Sequence, residues 1–348
     1  MKTRANFFQH LHPPMIRSRT LDPSSTLGLG IVCMTCLLLL VATGLSLLLY
    51  YVPHQDHAYE RILHIMTALR YGKVIRNLHY LAANVLLIAG ILHLARVFFT
   101  GSYKGRWLNW IYGLFLLVLI FLSNYTGYLL PWDQRSYWAI KVGSSLMTYF
   151  PWVGPSIKNF ILGGEEIGPE TLIRCFGLHV ALLPFLWATL TSLHLWRIRK
   201  DGGLAAPEEE KVSRLPSSPL LFRAELAVAF LTLALLFSLS LFIGAPLSDR
   251  ADPLHPPNPA KAPWYFVGIQ EMLSHSATLG GVVIPVLIGL FLFFSPVIDR
   301  SKEPGGKWFG KGRLTLNVLF ALIFLGQFFM IIIGQWFRTK NWIFKFPW

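Results

Sequence analysis

Charge is scarce in this chain, and acid scarcer still. Of 348 residues only 14% are charged, with 17 Asp and Glu against 31 Lys and Arg. Soluble domains carry about a quarter charged residues, so a water-facing surface over the whole molecule is excluded. The net charge of +14 would suit nucleic acid, but no basic recognition helix is present. The Lys and Arg sit in short loops between apolar stretches, where a membrane surface explains them and no nucleic-acid partner is expected. Cysteine is almost absent: Cys33, Cys36 and Cys175 all lie in or beside apolar runs, which excludes a disulfide framework. Cys33 and Cys36 spell CxxC, but inside an apolar helix they read as small packing residues. Residues 1–26, polar, basic and proline-containing, are not expected to be a cleaved signal; they read as a tail on the membrane surface.

Apolar length is what the chain has in quantity, with 54% hydrophobic residues. Seven stretches are long enough to cross a bilayer, near 27–51, 76–98, 109–130, 175–197, 221–245, 279–298 and 314–336. The expected fold class is all-α and integral to the membrane, with seven transmembrane helices, the first four forming a four-helix bundle. Residues 136–163, interrupted by Pro151, Gly154 and Pro155, read as short helices along the interface. The connection 246–278 is too proline-rich in its first half to span. A polar linker at 200–219 separates the bundle, 27–199, from a second unit, 220–348. Seven spans put the ends of the chain on opposite sides. Most Lys and Arg fall in loops on the N-terminal side, which assigns that side to the cytoplasm.

Two spans carry paired histidines. His79 and His93 are fourteen residues apart, a helical rise of about 21 Å over roughly 3.9 turns, so both imidazoles project from nearly one face at two depths. His179 and His194 on the fourth span are fifteen apart, a rise of about 22 Å. Ionisable residues inside a bilayer are costly and face the interior. A single such His reads as a hydrogen-bonded packing residue. Four at matched spacing on two parallel helices read as axial ligands of two stacked bis-histidine haems, His79 with His179 at the outer level and His93 with His194 at the inner. Gly30 and Gly44 on the first span, and Gly113 and Gly127 on the third, repeat the fourteen-residue interval. They suggest places where a backbone closely approaches a flat macrocycle, ordinary small-residue helix packing being the plainer alternative. Arg76 and Arg96 lie one turn outside His79 and His93, and Arg76 above all suits a haem propionate.

These residues, together with GYLLPWDQ after the third span and WYF followed by LGG in the 246–278 connection, resemble the cytochrome b/b6 family. That family supplies the membrane subunit of quinol:cytochrome c or plastocyanin reductases, and the likeness runs over nearly the whole chain. The fifteen-residue histidine gap, the PWDQ wording and the HLWRIRK ending resemble the b6 branch, and the residues after the linker resemble its separate subunit IV, so the chain reads as the two fused. The resemblance implies two non-covalent b haems, quinol and quinone, and a Rieske iron-sulfur protein and a c-type cytochrome as partners. It also implies a homodimeric complex among the lipids of a bacterial inner (plasma) membrane. A Q-cycle follows by the same likeness. Quinol docks on the outer side between the short helices after Trp132 and the Pro263–Tyr265 segment, with Tyr128, Trp132, Pro263, Trp264 and Tyr265 at the site. One electron leaves to the Rieske cluster, and the other crosses through the haems to a quinone on the inner side. Arg199 and Lys200 match basic residues near that inner pocket and would stabilise charge there, or are ordinary flanking cations.

Two positions depart from the family pattern. The b6 cysteine that attaches a further haem aligns with Gly28, so haem c has no aligned cysteine, Cys33 being the nearest. The motif Pro-Glu-Trp-Tyr, whose glutamate takes a proton from quinol, reads Ala262-Pro263-Trp264-Tyr265. Quinol oxidation releases two protons and needs a base. Glu271, two turns on and on the face of Trp264, is the first candidate, followed by His275, Asp252 and His255; alternatively Glu271 is a surface carboxylate at a helix end. The lost glutamate leaves one rival function, a dihaem membrane anchor passing electrons between quinol and an attached redox enzyme without bifurcation. The retained PWDQ and WYF segments argue against it.

Overall fold

The structure is a computed structural model that describes residues 12–203, 214–303 and 305–346. Among these, seven helices are long and apolar enough to cross a membrane: Leu29–Leu48, Gly72–Phe99, Trp107–Leu129, Pro169–Lys200, Leu220–Phe242, Leu279–Ile298 and Lys311–Phe337. Each falls on one of the seven expected stretches. Their outward faces carry exposed Leu and Phe, such as Leu38, Leu45, Phe230, Phe237 and Leu322. With lipid as solvent such side chains need no cover, and the helix is the form that satisfies its own backbone there.

The first span packs along the second and the fourth along the third, while the fifth lies over the first two. Cys36, Ala82 and Leu87 are fully buried at the centre of this packing. Cys36 thus has the packing role expected of it, and Cys33 and Cys175 are also free thiols. The expected interfacial helices are Gln134–Met147 and Gly154–Leu162. Asp133 caps the first of these by accepting from Ser136 N at 2.8 Å.

The two sides of the linker are tied together at both membrane faces. On one, Asn77 donates to Ser240 O at 2.9 Å and accepts from Ala245 N at 2.8 Å, while Asp133 also accepts from Ser248 N at 2.8 Å. On the other, Tyr103 Oη donates to Asp299 at 2.8 Å, and buried Arg313 donates to Phe98 O and Phe99 O at 3.1 Å.

Three features go beyond the sequence reading. A helix, Ala58–Thr67, follows the first span. The surface tail and the linker meet, with Met15–Arg17 pairing antiparallel to Arg214–Pro216; residues 1–11 and 204–213 of the expected tail and linker lie outside the described residues. The segment after the seventh span folds back on itself, bridging Arg338 to Phe344.

Candidate functional site

The second and fourth spans bring His79 and His179 together. The rings of His79 and His179 have centroids 6.3 Å apart. A metal held between two imidazoles requires about 6 Å, twice the roughly 2 Å metal–nitrogen bond plus the ~1 Å from nitrogen to ring centre. Their tautomers are fixed from behind. Thr43 Oγ1 donates to Leu39 O at 2.7 Å, so its lone pair accepts from His79 Nδ1 at 2.9 Å. Thr126 Oγ1 likewise donates to Leu122 O at 2.9 Å and meets His179 Nδ1 at 3.1 Å. With Nδ1 carrying the proton, each Nε2 keeps a free lone pair for a metal. At the other level the buried Nδ1 atoms of His93 and His194 have no partner among the described residues.

The four repeated glycines pair one to one with the four histidines. A Cβ added at Gly127 would lie 2.6 Å from His179 Cε1, at Gly44 3.3 Å from His79 Cε1, at Gly113 3.6 Å from His194 Cε1, and at Gly30 3.8 Å from His93 Cε1. The first and third spans therefore approach at the imidazoles themselves. A methyl group at Gly127 would push the ring out of place.

The fourth span also accounts for its longer histidine interval. Residues Leu178–Leu182 form a π turn, with Leu183 N bonded back to Leu178 O. A π turn takes one extra residue into the helix, so fifteen residues from His179 to His194 rotate as fourteen do between His79 and His93. Pro184, just beyond, has no N–H to give to the regular ladder.

Next to the outer histidine pair, three elements converge. Trp264 Nε1 donates to Asn84 Oδ1 of the second span at 2.7 Å, and Tyr265 Oη to Asn124 O of the third at 3.3 Å. Phe266 packs on Phe121 and Tyr125, with ring centroids 5.9 and 5.7 Å away. Helix Gln134–Met147 closes the side: a Cβ at Gly281 would meet both its Leu146 and Leu273 of helix Trp264–His275 at 2.7 Å. Trp132 is buried with φ +52°, and Ala251 N donates to its carbonyl at 3.3 Å. Tyr128 packs in the adjoining cluster with Trp132 and Ile140. Tyr128 and Trp132 thus pack in one cluster and Trp264 and Tyr265 in another, linked by Phe266 on Tyr125, with Pro263 as the N-cap of the following helix.

Glu271 stands apart from them. It is helical and shares the face of Trp264, as the spacing required, but it is fully buried, which removes the reading of a surface carboxylate. Arg338 Nε donates to its two oxygens at 3.1 and 2.9 Å, Arg338 Nη2 makes a further close contact, Trp342 Nε1 donates at 3.0 Å, and His275 Nε2 lies 3.1 Å away. Burial alone would raise its pKa; the Arg338 bonds and charge, with Trp342 and His275, outweigh burial and hold it below the ordinary carboxylate range. A carboxylate so held is a weaker base than a free one. Asp252 and His255 pair with each other at 2.6 Å on the exposed connection.

Residues 19–202 match the family described as cytochrome b/b6/petB, and residues 250–345 that of the cytochrome b C-terminal region, b6/petD. The chain belongs to the cytochrome b/b6 family. It is 32% identical over 302 residues to cytochrome b of Mycosarcoma maydis, covering 84% of this chain and 76% of that protein. Against cytochrome b of Micropechis ikaheca the identity is 29% over 317 residues, covering 89% and 83%. A solved structure titled "Hyperthermophilic respiratory Complex III" superposes with a TM-score of 0.80 at 25% identity, covering 92% of this chain and 85% of that one.

In this cytochrome b/b6 member the flanking cations have protein partners of their own. Arg76 donates to Ala245 O at 2.8 Å and Pro246 O at 2.7 Å, and Arg96 Nε to Ser25 O at 2.8 Å. Lys200 Nζ lies 5.0 Å from the Trp196 ring centre, at the end of the fourth span with Arg199. Sequence reasoning missed Thr43, Thr126, Asn84, Arg338 and Trp342. The first two had a signal, since the same Thr-Gly pair occurs at 43–44 and 126–127.

Proposed function

We propose that this chain is the cytochrome b subunit of a quinol:cytochrome c reductase of the respiratory Complex III kind, oxidising quinol on the outer side of a bacterial inner membrane. The observation that carries the reading is the His79–His179 pair at the separation two axial imidazoles need, each backed by a threonine and faced by a glycine. His79 and His179 would hold the outer haem, and His93 and His194 the inner. The two haems, when bound, supply one-electron transfer across the membrane.

The protein's own residues do the rest. Thr43 and Thr126 keep Nε2 of the outer ligands free, and Gly30, Gly44, Gly113 and Gly127 leave room for the rings. Arg76 and Arg96, one turn outside, stand where propionate charge is to be balanced. Tyr128, Trp132, Tyr265 and Phe266 enclose an apolar, aromatic region beside the outer pair, suited to the quinol head group. Arg199 and Lys200, at the inner end of the fourth span, would stabilise negative charge on the quinone reduced there. The b6-like bundle, 27–199, and the subunit IV-like unit, 220–348, act as one subunit, with the N-terminus cytoplasmic and the C-terminus outside. It works in a homodimeric complex with a Rieske protein and a c-type cytochrome.

The test is electron bifurcation. Purified complex is given a quinol with the inner quinone site inhibited, and ferricyanide is then added while the b-haem band is followed. Bifurcation predicts a transient increase in b-haem reduction on adding the oxidant; a dihaem anchor without bifurcation gives oxidation only.

A further inference from the structure

We propose that the segment Arg338–Phe344 is a strap that fixes the outer quinol-site helix, Trp264–His275, in register, with Glu271 as its anchor and as a positioning residue. This rests on the reading of the outer aromatic region as the quinol site.

Helix Trp264–His275 has two working faces, because residues three, four and seven apart share a side. Gly268 and Glu271 turn to the seventh span, where a Cβ at Gly268 would meet Ile331 at 2.9 Å and Gln327 O at 3.3 Å. From the other side, a Cβ at Gly334 would meet Val267 at 2.9 Å and Glu271 at 3.5 Å. Each glycine lets the backbones approach and receives a side chain of the other helix, Ile331 at Gly268 and Val267 at Gly334, while Gln327 Nε2 donates to Met272 Sδ at 3.4 Å. These contacts are apolar or weak, and among the described residues charged and backbone bonds come only from the segment beyond the seventh span and from its last turn. The opposite face of the same helix carries Tyr265, Phe266 and Leu273 toward the third span and helix Gln134–Met147, so any slide on the seventh span displaces the aromatic site.

The strap reinforces that register at both ends. The segment closes on itself through Lys345 N to Phe337 O at 2.9 Å, Thr339 N to Ile343 O at 3.0 Å and Arg338 Nη1 to Trp342 O at 3.0 Å. From that turn, Arg338 and Trp342 grip Glu271 near the end of the helix. Asn341 and Asn258 exchange two bonds of 2.6 Å, and Lys261 Nζ donates to Gln335 O at 2.7 Å, ahead of the helix start at Pro263. Arg338, Asn341 and Trp342 of the strap, with Gln335 in the last turn of the seventh span, thus hold the quinol-site segment from both sides.

The experiment compares Glu271→Gln, Arg338→Gln, their double variant, Arg338→Lys and Trp342→Phe in the assembled complex, with b-haem content measured optically. Quinol oxidation is assayed with a short-chain quinol and a soluble c-type cytochrome. The strap predicts that both single Gln variants raise KM about three- to tenfold while kcat stays within about twofold, and that the double variant is no worse than the worse single. Arg338→Lys should recover part of the KM, and Trp342→Phe, which removes one donor and keeps the ring, should give a smaller rise of the same kind. The proposal is overturned if Glu271→Gln lowers kcat with KM unchanged while Arg338→Gln is neutral, the pattern of a proton acceptor. It is equally overturned if KM is unmoved in all variants. Failure of the parent complex to oxidise quinol would instead remove the underlying functional reading.

Discussion

Thr43 Oγ1 lies 2.9 Å from His79 Nδ1, and its own proton is already committed to Leu39 O. The imidazole must therefore be the donor, and its basicity at Nε2 rises accordingly. Replacing Thr43 with Val removes the acceptor and keeps the shape. One hydrogen bond is worth about 0.5–1.5 kcal/mol, or roughly 20–60 mV for a one-electron couple. The expected outcome is an upward shift of that size in the potential of one b haem with the other unmoved, and little change for Thr43→Ser, read by optical redox titration.

The glycine contacts predict an order. Gly127→Ala, with its Cβ 2.6 Å from His179, should lose the outer haem or fail to assemble, whereas Gly30→Ala, at 3.8 Å from His93, should retain both haems. The cost at Gly127 is that of overpacking, about 1–3 kcal/mol. Haem content per chain checks the order; equal tolerance at the two positions would remove the glycine argument.

Glu271 gives a pH dependence with a definite sign. Its folded pKa is lowered, burial opposing and the Arg338 bonds prevailing, so the strap's contribution is present above the unfolded value of about 4.3 and is lost as pH falls through the lower folded value. Thermal unfolding of the detergent-solubilised complex should separate parent from Glu271→Gln most at neutral pH. The gap should close in acid.

Arg313 is 2% exposed and bonds Phe98 O and Phe99 O, joining the second span's end to the seventh. Arg313→Met removes one donor from each of those carbonyls and a cation 4.0 Å from Asp299, which keeps its bonds from Tyr103 and Ser301, a loss of about 1–3 kcal/mol for buried groups that lose a partner. Arg313→Lys should recover only part of it, since one ammonium cannot reach the same acceptors in the guanidinium's fork. Yield of haem-containing complex and its unfolding temperature check both variants.

Much of this was legible beforehand because lipid imposes its own rules. A helix that crosses must be long and apolar, so seven spans could be read from composition alone, and histidines in such helices stand out. The glycines were legible by interval, and each lies nearest one of the four imidazoles. The π turn had two signs, Pro184 and the fifteen-residue interval between His179 and His194. The Glu271–Arg338 pair had none, because 67 residues separate its members and no periodicity links a helix to the segment folded over it. The three-residue strands Met15–Arg17 and Arg214–Pro216 are too short to leave an alternating pattern.

The most direct test of the central claim is a visible redox titration of the purified complex, with haem counted after acidic acetone extraction. The account predicts two extractable b haems per chain, titrating at separate potentials, and the loss of one when His79 or His179 is replaced. Fewer than two haems, or full retention of both in His79→Ala and His179→Ala, would contradict it.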